Sequence, residues 1–186
     1  RATALLIGPG FGLEETTKDF LAKLLEAPNM PPLVADADGL KLLAQISDWH
    51  AKLPALSVLT PHPGEMSVLT GLSKEQIQSD RETVAAKFAK QWGHIVVLKG
   101  AFTVIAAPDG RIAVLPFASA ALARAGTGDV LAGLIVGLRA QGVDAFEAAV
   151  AGAWIHARAG LTALSEGGSA ASVLARSTCS IIPKSV

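Results

Sequence analysis

The chain has 186 residues, of which 51% are hydrophobic and 17% are charged. This composition supplies a sizeable core and excludes intrinsic disorder, and the length predicts a single domain over residues 1–186. Sixteen basic residues balance sixteen acidic ones, so no overall field draws the protein to nucleic acid or to an anionic membrane. The one cysteine, Cys179, excludes an intramolecular disulfide and fits a reducing cytoplasm.

The beginning of the chain predicts that a longer domain is present upstream. The first residue is Arg1, and residues 2–7 already have the pattern of a buried strand, with no signal peptide ahead of them. The most apolar stretch, 130–163, is interrupted by charged residues. It therefore lacks the roughly 18 uncharged residues of a membrane span, and we expect a soluble protein.

Short apolar runs alternate with amphipathic stretches along the chain. This alternation predicts an α/β fold with a mostly parallel central sheet and helices on both of its faces. In chain order, strands are predicted over residues 4–7, 33–35, 56–59, 95–98, 103–106 and 112–115. Helices are predicted over residues 14–27, 39–46, 74–92, 129–141, 145–164 and 170–175.

Two local patterns refine this prediction. The clearest helix follows Ser73, whose hydroxyl can cap it while Gln76 reaches back, and Gly93 is expected to end it. The turn Ala107-Pro108-Asp109-Gly110 joins the last two strands as a hairpin, so the sheet should be mixed. The final helices are rich in glycine and alanine, which suits close core packing, with a subunit interface sharing the surface.

Polar clusters follow four of the predicted strands. Ligands bind at the carboxyl edge of an open α/β sheet, where the strand ends and helix N-termini collect. This coincidence is the main functional signal in the sequence. The clusters are Gly8–Gly12, Asp36–Asp38, His62–Glu65 and Lys99-Gly100.

A further cluster, Gly126-Thr127-Gly128-Asp129, directly precedes an apolar helix. Unpaired backbone N–H groups and the helix dipole would form an anion site there. Asp129 would repel a phosphate, so its useful role is that of a general base on a hydroxyl that attacks phosphorus. The alternative is that Thr127 or Asp129 simply caps the helix.

The other polar residues also have two interpretations each. Lys99 can neutralise a polyphosphate or be an exposed strand end, and Glu65 can hold Mg²⁺ through water or complement a helix dipole. His62 can face the same cleft as Glu65 or be an ordinary turn residue. Asp36 and Asp38 can be turn and cap residues.

Two familiar phosphate-binding motifs fail residue by residue. No lysine lies in the Gly-x-x-x-x-Gly-Lys setting of a P-loop. The turn Gly8-Pro9-Gly10-Phe11-Gly12 begins like a dinucleotide fingerprint, but Leu13 stands where the third glycine or alanine belongs. Because Asp36 lies at a plausible distance for a ribose contact, a Rossmann dehydrogenase remains a weak rival.

Taken together and in order, five motifs resemble those of the ADP/ATP-dependent NAD(P)H-hydrate dehydratases of the ribokinase-like superfamily. They span nearly the whole chain, which makes the set far more specific than any member. The motifs are Gly8-Pro9-Gly10-Phe11-Gly12, Asp36-Ala37-Asp38-Gly39-Leu40, Thr60-Pro61-His62-Pro63-Gly64-Glu65, Lys99-Gly100-Ala101-Phe102-Thr103 and Gly126-Thr127-Gly128-Asp129-Val130-Leu131-Ala132-Gly133.

The resemblance implies a ribokinase-like three-layer sandwich that lacks its N-terminal strands. It also implies dehydration of the S-epimer of hydrated NADH or NADPH with ADP or ATP as co-substrate, in a cytoplasmic homo-oligomer, a tetramer. The residues implied to bind nucleotide are Lys99, Gly100, Ala101, Phe102, Thr103 and Gly128. Those implied to contact the hydrate are Gly12, His62 and Asp129. The catalytic role of Asp129 as a base and the place of Glu65 at the magnesium follow from the residue patterns described above.

One segment departs from the family pattern, and two rival functions stay open. An asparagine- and glycine-rich stretch usually precedes Gly126, whereas residues 118–125 here are rich in alanine, and Arg124 can compensate for this change. A small-molecule kinase of the same superfamily would use the same base and anion site. A non-catalytic nucleotide-binding module is the other rival, since the start of the domain is expected to be absent.

Overall fold

A computed structural model describes residues 2–118, 120–165 and 171–181. The strands are β1 Leu5–Ile7, β2 Leu33–Ala35, β3 Val58–Leu59, β4 Ile95–Leu98, β5 Val104–Ala106 and β6 Ile112–Val114. The helices are α1 Glu15–Leu25, α2 Ala37–Leu43, α3 Trp49–Lys52, α4 Pro63–Thr70, α5 Lys74–Ser79, α6 Arg81–Trp92, α7 Thr127–Ala140, α8 Ala145–Ser165 and α9 Ala171–Ile181. A 3₁₀ turn occupies Ala120–Ala123.

The six strands form one mixed sheet, which confirms the sequence prediction. They lie side by side in the order in which they occur along the chain, from β1 to β6. Strands β1 to β4 are parallel, with Val34 opposite Val58 and Val58 opposite Ile95. Strands β5 and β6 return antiparallel as the predicted hairpin.

Each face of the sheet carries its own hydrophobic core, because successive side chains of a strand point to opposite faces. One core packs residues such as Leu33, Leu59 and Leu98 against α1 to α6. The other packs the alternate positions, including Val34 and Val97, against α7 and α8. The predicted arrangement of helices on both faces is therefore confirmed.

The predicted helix over 74–92 is wrong in one respect, because it is two helices. Its start and end are confirmed: Ser73 and Gln76 form a capping box, and Gly93 ends α6 with a φ of 76°. Between them, Asp80 leaves the helical conformation at φ −150° and ψ 72°, and its carboxylate accepts a hydrogen bond from the Thr83 N–H. An aspartate that caps a new helix in this way competes with continuation of the old one.

Several boundaries differ from the predictions by a few residues. The polar turn expected at residues 60–65 contains the first turn of α4, with Pro63 at its N-terminus. Helix α7 begins at Thr127 rather than at 129, and the last helix reaches Ile181. Residue Ala170, the expected start of that last helix, lies outside the described residues. None of the helices in the described ranges has the length and apolarity of a transmembrane span.

The turn after β1 packs directly against the start of α2. Gly8 has a φ of 116°, and a Cβ there would lie 1.8 Å from the Asp36 carbonyl oxygen. That carbonyl accepts a hydrogen bond from the Gly39 N–H. Only a glycine at position 8 lets the ends of β1 and β2 approach this closely.

We expect Gly8→Ala to lower the free energy of unfolding by about 3 kcal/mol or more, since it combines backbone strain with steric overlap. The matched control is Gly10→Ala, where φ is 72° but no atom lies within 4 Å of the new Cβ. This control should cost only about 1 to 2 kcal/mol. Urea unfolding of both variants measures the difference, and equal losses would contradict the packing argument.

Candidate active site

A cleft of about 740 Å³ opens where the parallel strands end. Its volume suits a small-molecule ligand. The connections after β2, β3 and β4 meet the N-terminus of α7 there, and α8 supplies part of the wall. Seven of the residues proposed from the sequence line this cleft together: His62, Lys99, Gly100, Ala101, Thr103, Gly128 and Asp129.

Lys99 lies at the centre of the charged groups. Its ammonium Nζ is 2.5 Å from Oδ1 of Asp36 and 3.6 Å from Oε2 of Glu65. The two carboxylate side chains are only 1% and 5% exposed, whereas Lys99 remains 18% exposed. Lys99 is therefore a partly accessible cation whose charge is already shared by two buried carboxylates, and its interpretation as a free strand end is wrong.

The N-terminus of α7 faces this lysine. A Cβ added to Gly128 would lie 3.5 Å from both Lys99 Nζ and Asp36 Oδ2. No side chain in the described part of the chain caps the helix, which starts at Gly126 with a φ of 82°. The idea that Thr127 or Asp129 caps α7 is therefore wrong. The N–H groups of Gly128 and Asp129 and the dipole of α7 are available to an anion at the cleft.

Thr127 has a different role at this helix end. Its hydroxyl Oγ1 donates to the carbonyl oxygens of Leu122 at 2.8 Å and Arg124 at 2.7 Å. These bonds fasten the connection from β6 to the first turn of α7. Asp129, two residues further on, lines the cleft with an exposed side chain, as a proton acceptor for a bound ligand must.

His62 and Glu65 are linked at the start of α4. Nδ1 of His62 accepts hydrogen bonds from the N–H groups of Gly64 at 2.9 Å and Glu65 at 3.2 Å. In return, Oε2 of Glu65 accepts from the His62 N–H at 2.8 Å. His62 therefore caps the helix and also lines the cleft, and the neutral ring carries its proton on Nε2.

Glu65 lies beneath the cleft rather than on its wall. Besides its bond to the His62 N–H, its carboxylate lies 3.4 Å from Nε2 of His62 through Oε1. No group of three or more histidine, cysteine, aspartate or glutamate side chains in the described residues is arranged to hold a metal ion. A magnesium ion near Glu65 would need most of its ligands from water and from a bound nucleotide.

Besides Glu65, two further residues proposed from the sequence lie outside the cleft lining. The Gly12 N–H donates to Oδ2 of Asp38 at 3.2 Å, which ties the first glycine-rich turn to α2. Phe102 is 53% exposed and has a φ of 54°, while its N–H donates to the Phe117 carbonyl. The other four residues of the 99–103 segment line the cleft, whereas the Phe102 side chain is turned outward.

The sequence did not reveal the place of His156, which lines the cleft from α8. The ring is buried, and its Nε2 donates to the Thr127 carbonyl at 2.8 Å. Burial, helped by the nearby charge of Lys99, lowers the pKa of His156 to about 4, so the ring is neutral at pH 7. The available signal was a histidine within an alanine-rich helix, but no local spacing relates it to Thr127.

Arg81 was also missed, and it lies behind the 99–103 segment. Its guanidinium donates to the Leu98 carbonyl at 2.8 Å. Gly100 has a φ of 152°, and a Cβ there would lie 2.9 Å from a terminal nitrogen of Arg81. Burial lowers the pKa of this guanidinium from its usual value. Arg81 thus supports the strand end from which Lys99 projects.

Comparisons with known proteins show which family this chain resembles. A family model described as NAD(P)H-hydrate dehydratase matches residues 1–184. The chain is 44% identical over 160 residues to the bifunctional NAD(P)H-hydrate repair enzyme Nnr of Moorella thermoacetica, which covers 84% of this chain and 29% of that protein. It is 41% identical over 174 residues to the ADP-dependent (S)-NAD(P)H-hydrate dehydratase of Neisseria meningitidis, which covers 92% of this chain and 59% of that enzyme.

A solved structure extends the likeness to the fold. The ADP/ATP-dependent NAD(P)H-hydrate dehydratase of Bacillus subtilis, co-crystallized with ATP and Mg²⁺, superposes with a TM-score of 0.79 at 30% identity. The match covers 97% of this chain and 65% of that one. It confirms the predicted ribokinase-like fold. The chain spans less than two thirds of the length of each of these three proteins.

The burial of His156 predicts a pH dependence of stability. Below its usual pKa near 6.5, the unfolded chain takes up a proton that the folded protein refuses down to about pH 4. The full contribution of His156 to the free energy of unfolding is therefore present above pH 6.5. This contribution falls by about 3 kcal/mol as the pH drops from 6.5 towards 4.

The variant His156→Gln isolates that contribution, because it keeps a donor for the Thr127 carbonyl but does not titrate. The difference in unfolding free energy between the two proteins, measured by urea titration from pH 8 to 4, should change below pH 6.5. Other acid-sensitive groups, including buried His94, cancel in this difference. A constant difference across the whole range would show that His156 titrates normally in the folded protein.

Proposed function

The chain belongs to the NAD(P)H-hydrate dehydratase family, and from that membership we propose that it dehydrates the S-epimer of hydrated NADH or NADPH, with ADP or ATP as co-substrate. The reaction returns a usable reduced nicotinamide cofactor. One observation carries the proposal: Asp129, the uncapped start of α7 and Lys99 meet in a single cleft. An acidic side chain and an anion site thus face the same space.

The chemistry explains why a dehydratase would need a nucleotide. Hydroxide is a poor leaving group, so the ring hydroxyl first attacks the terminal phosphorus of ADP or ATP and becomes a phosphate ester. The shortened nucleotide departs with the electrons of the broken P–O bond. The ring nitrogen then expels inorganic phosphate, and loss of a proton from the neighbouring ring carbon restores the double bond.

The residues of the cleft suit the first of these steps. Asp129 would take the hydroxyl proton as the new P–O bond forms, which is the task of a general base. The N–H groups at Gly128 and the dipole of α7 would stabilise the charge that develops on the phosphoryl group. The ammonium of Lys99, held near Gly128 by Asp36, would neutralise the remaining phosphate charge.

His62 is suited to contact the hydrate. Because Nδ1 of His62 accepts two backbone hydrogen bonds, its Nε2–H can donate to the substrate. Gly12 lies in the turn after β1, and we propose that this turn contacts the hydrate from outside the cleft described above. The segment Lys99–Thr103 would hold the nucleotide, with Phe102 contributing its backbone rather than its outward side chain.

Magnesium fits this site as a partner of the nucleotide rather than as an ion held by the protein alone. When bound, it would neutralise charge on the transferring phosphoryl group. Glu65 has both oxygens near other groups, so it would act on the ion through water. Lys99 would contact the phosphate groups directly, and Glu65 would contact the water molecules of the magnesium ion that those phosphates bind.

We also propose that the protein is cytoplasmic and forms a homo-oligomer, a tetramer. The outward face of α7 presents small residues such as Gly133 and Gly137, and Trp154 on α8 is 43% exposed. A large exposed aromatic side chain is typical of a subunit interface, and the small residues of α7 would let a second helix approach closely.

The proposal is tested by mixing the protein with hydrated NADPH, Mg²⁺ and either ADP or ATP. We expect recovery of the reduced-nicotinamide absorbance together with release of inorganic phosphate. A stable phosphorylated product from an alcohol substrate, with the hydrate untouched, would instead identify a small-molecule kinase. Nucleotide binding without any turnover at high protein concentration would identify a non-catalytic module.

The variant Asp129→Asn should lower kcat at least about a hundredfold, because it removes the proton acceptor. Nucleotide affinity, measured by calorimetry, should stay within a few fold of the original value. The matched control is Asp19→Asn, an exposed carboxylate on α1 outside the cleft lining, which should leave both quantities unchanged. Retained turnover in Asp129→Asn would remove Asp129 from the role of base.

A further inference from the structure

The backbone of Arg124 is held by hydrogen bonds, whereas its charged side chain has no partner among the described residues. It lines the cleft in the connection between β6 and α7, and its side chain is exposed. Its carbonyl oxygen accepts hydrogen bonds from the Thr127 N–H at 3.3 Å and from the Thr127 hydroxyl at 2.7 Å. Within the described residues, the guanidinium itself forms no ion pair or hydrogen bond. The head group is therefore free beside the first turn of α7.

The charges around the cleft make this free cation significant. Lys99 already faces two carboxylates, Asp36 and Glu65. Asp129 adds a third carboxylate to the same region, and His156 is neutral at pH 7. A polyphosphate would bring several more negative charges into the cleft. Among the described residues that line it, Arg124 is the cation without a carboxylate partner.

We propose that Arg124 is a catalytic residue that contacts the terminal phosphates of the nucleotide and stabilises the charge that grows on the transferring phosphoryl group. A guanidinium presents several N–H donors in a planar fork, which matches phosphate oxygens in pairs. Arginines placed in this way contribute strongly to phosphoryl transfer. The proposal rests on the phosphoryl-transfer function proposed above and names one more residue for it.

Thr127 fixes the backbone position of Arg124. Its hydroxyl holds the carbonyls of Leu122 and Arg124, while its own carbonyl accepts from His156. The backbone of Arg124 is therefore fixed relative to Gly128, the residue that faces Lys99 and Asp36. Arg124 thus lines the same cleft as this helix N-terminus, where a phosphate would bind.

Calorimetric titration of Mg²⁺-ADP and of adenosine into the protein tests the contact. Arg124→Gln should weaken ADP binding about tenfold and leave adenosine binding within twofold of the original. Arg124→Lys should recover part of the ADP affinity, since it keeps the charge but loses the planar fork. The matched control is Arg176→Gln, which removes an exposed arginine on α9 outside the cleft lining and should change neither ligand.

In the dehydratase assay, kcat of Arg124→Gln should fall at least about a hundredfold, with the melting temperature unchanged. Unchanged ADP affinity and unchanged kcat would overturn the proposal, as would an equal loss of ADP and adenosine binding. A loss confined to titrations with NADPH would assign Arg124 to the phosphates of the dinucleotide and would also overturn it. If the original protein lacks dehydratase activity, the ADP and adenosine comparison still decides the role of Arg124.

Discussion

The buried contact of Lys99 with Asp36 and Glu65 ties the functional half of the molecule together. Lys99 and Asp36 directly follow β4 and β2, and Glu65 lies in the first turn of α4, which follows β3. One cation therefore joins the segments that follow three neighbouring strands. Removing one partner of such a buried pair leaves an uncompensated charge, which is strongly destabilising. The same lysine lies beside Gly128, so the group that holds the strand ends together also sets the charge at the helix N-terminus.

The order of the strands explains why α7 arrives at this point. Four parallel strands follow one another in sequence across the sheet, and right-handed connections between them place α1 to α6 on a single face. The opposite face is left for the helices that follow the hairpin. Because α7 must cover that face, its first turn lies above the carboxyl ends of β1 and β2, against which the helix packs.

The sequence predicted much of the fold because its signals were local. Alternating hydrophobic runs located every strand within two residues, and the Ser73 box and Gly93 fixed two helix ends. The break at Asp80 was not predicted, because an aspartate within a helical pattern can either continue the helix or cap a new one. In the site, motifs located Lys99, His62 and Asp129. The pairing of Lys99 with Asp36, 63 residues away, and the contact of His156 with Thr127 depend on tertiary packing, which one sequence does not encode as a pattern.

The antiparallel return of β5 beside β4 has a consequence for ligand capture. A parallel neighbour would have required a long crossover, whereas here five residues, 99–103, leave and re-enter the same edge of the sheet. Both ends of this short segment are anchored in a strand ladder, so folding has already met most of the conformational entropy cost of ordering it. A ligand that binds to such a segment loses little affinity to loop ordering. Its release from this segment does not require the movement of a long lid.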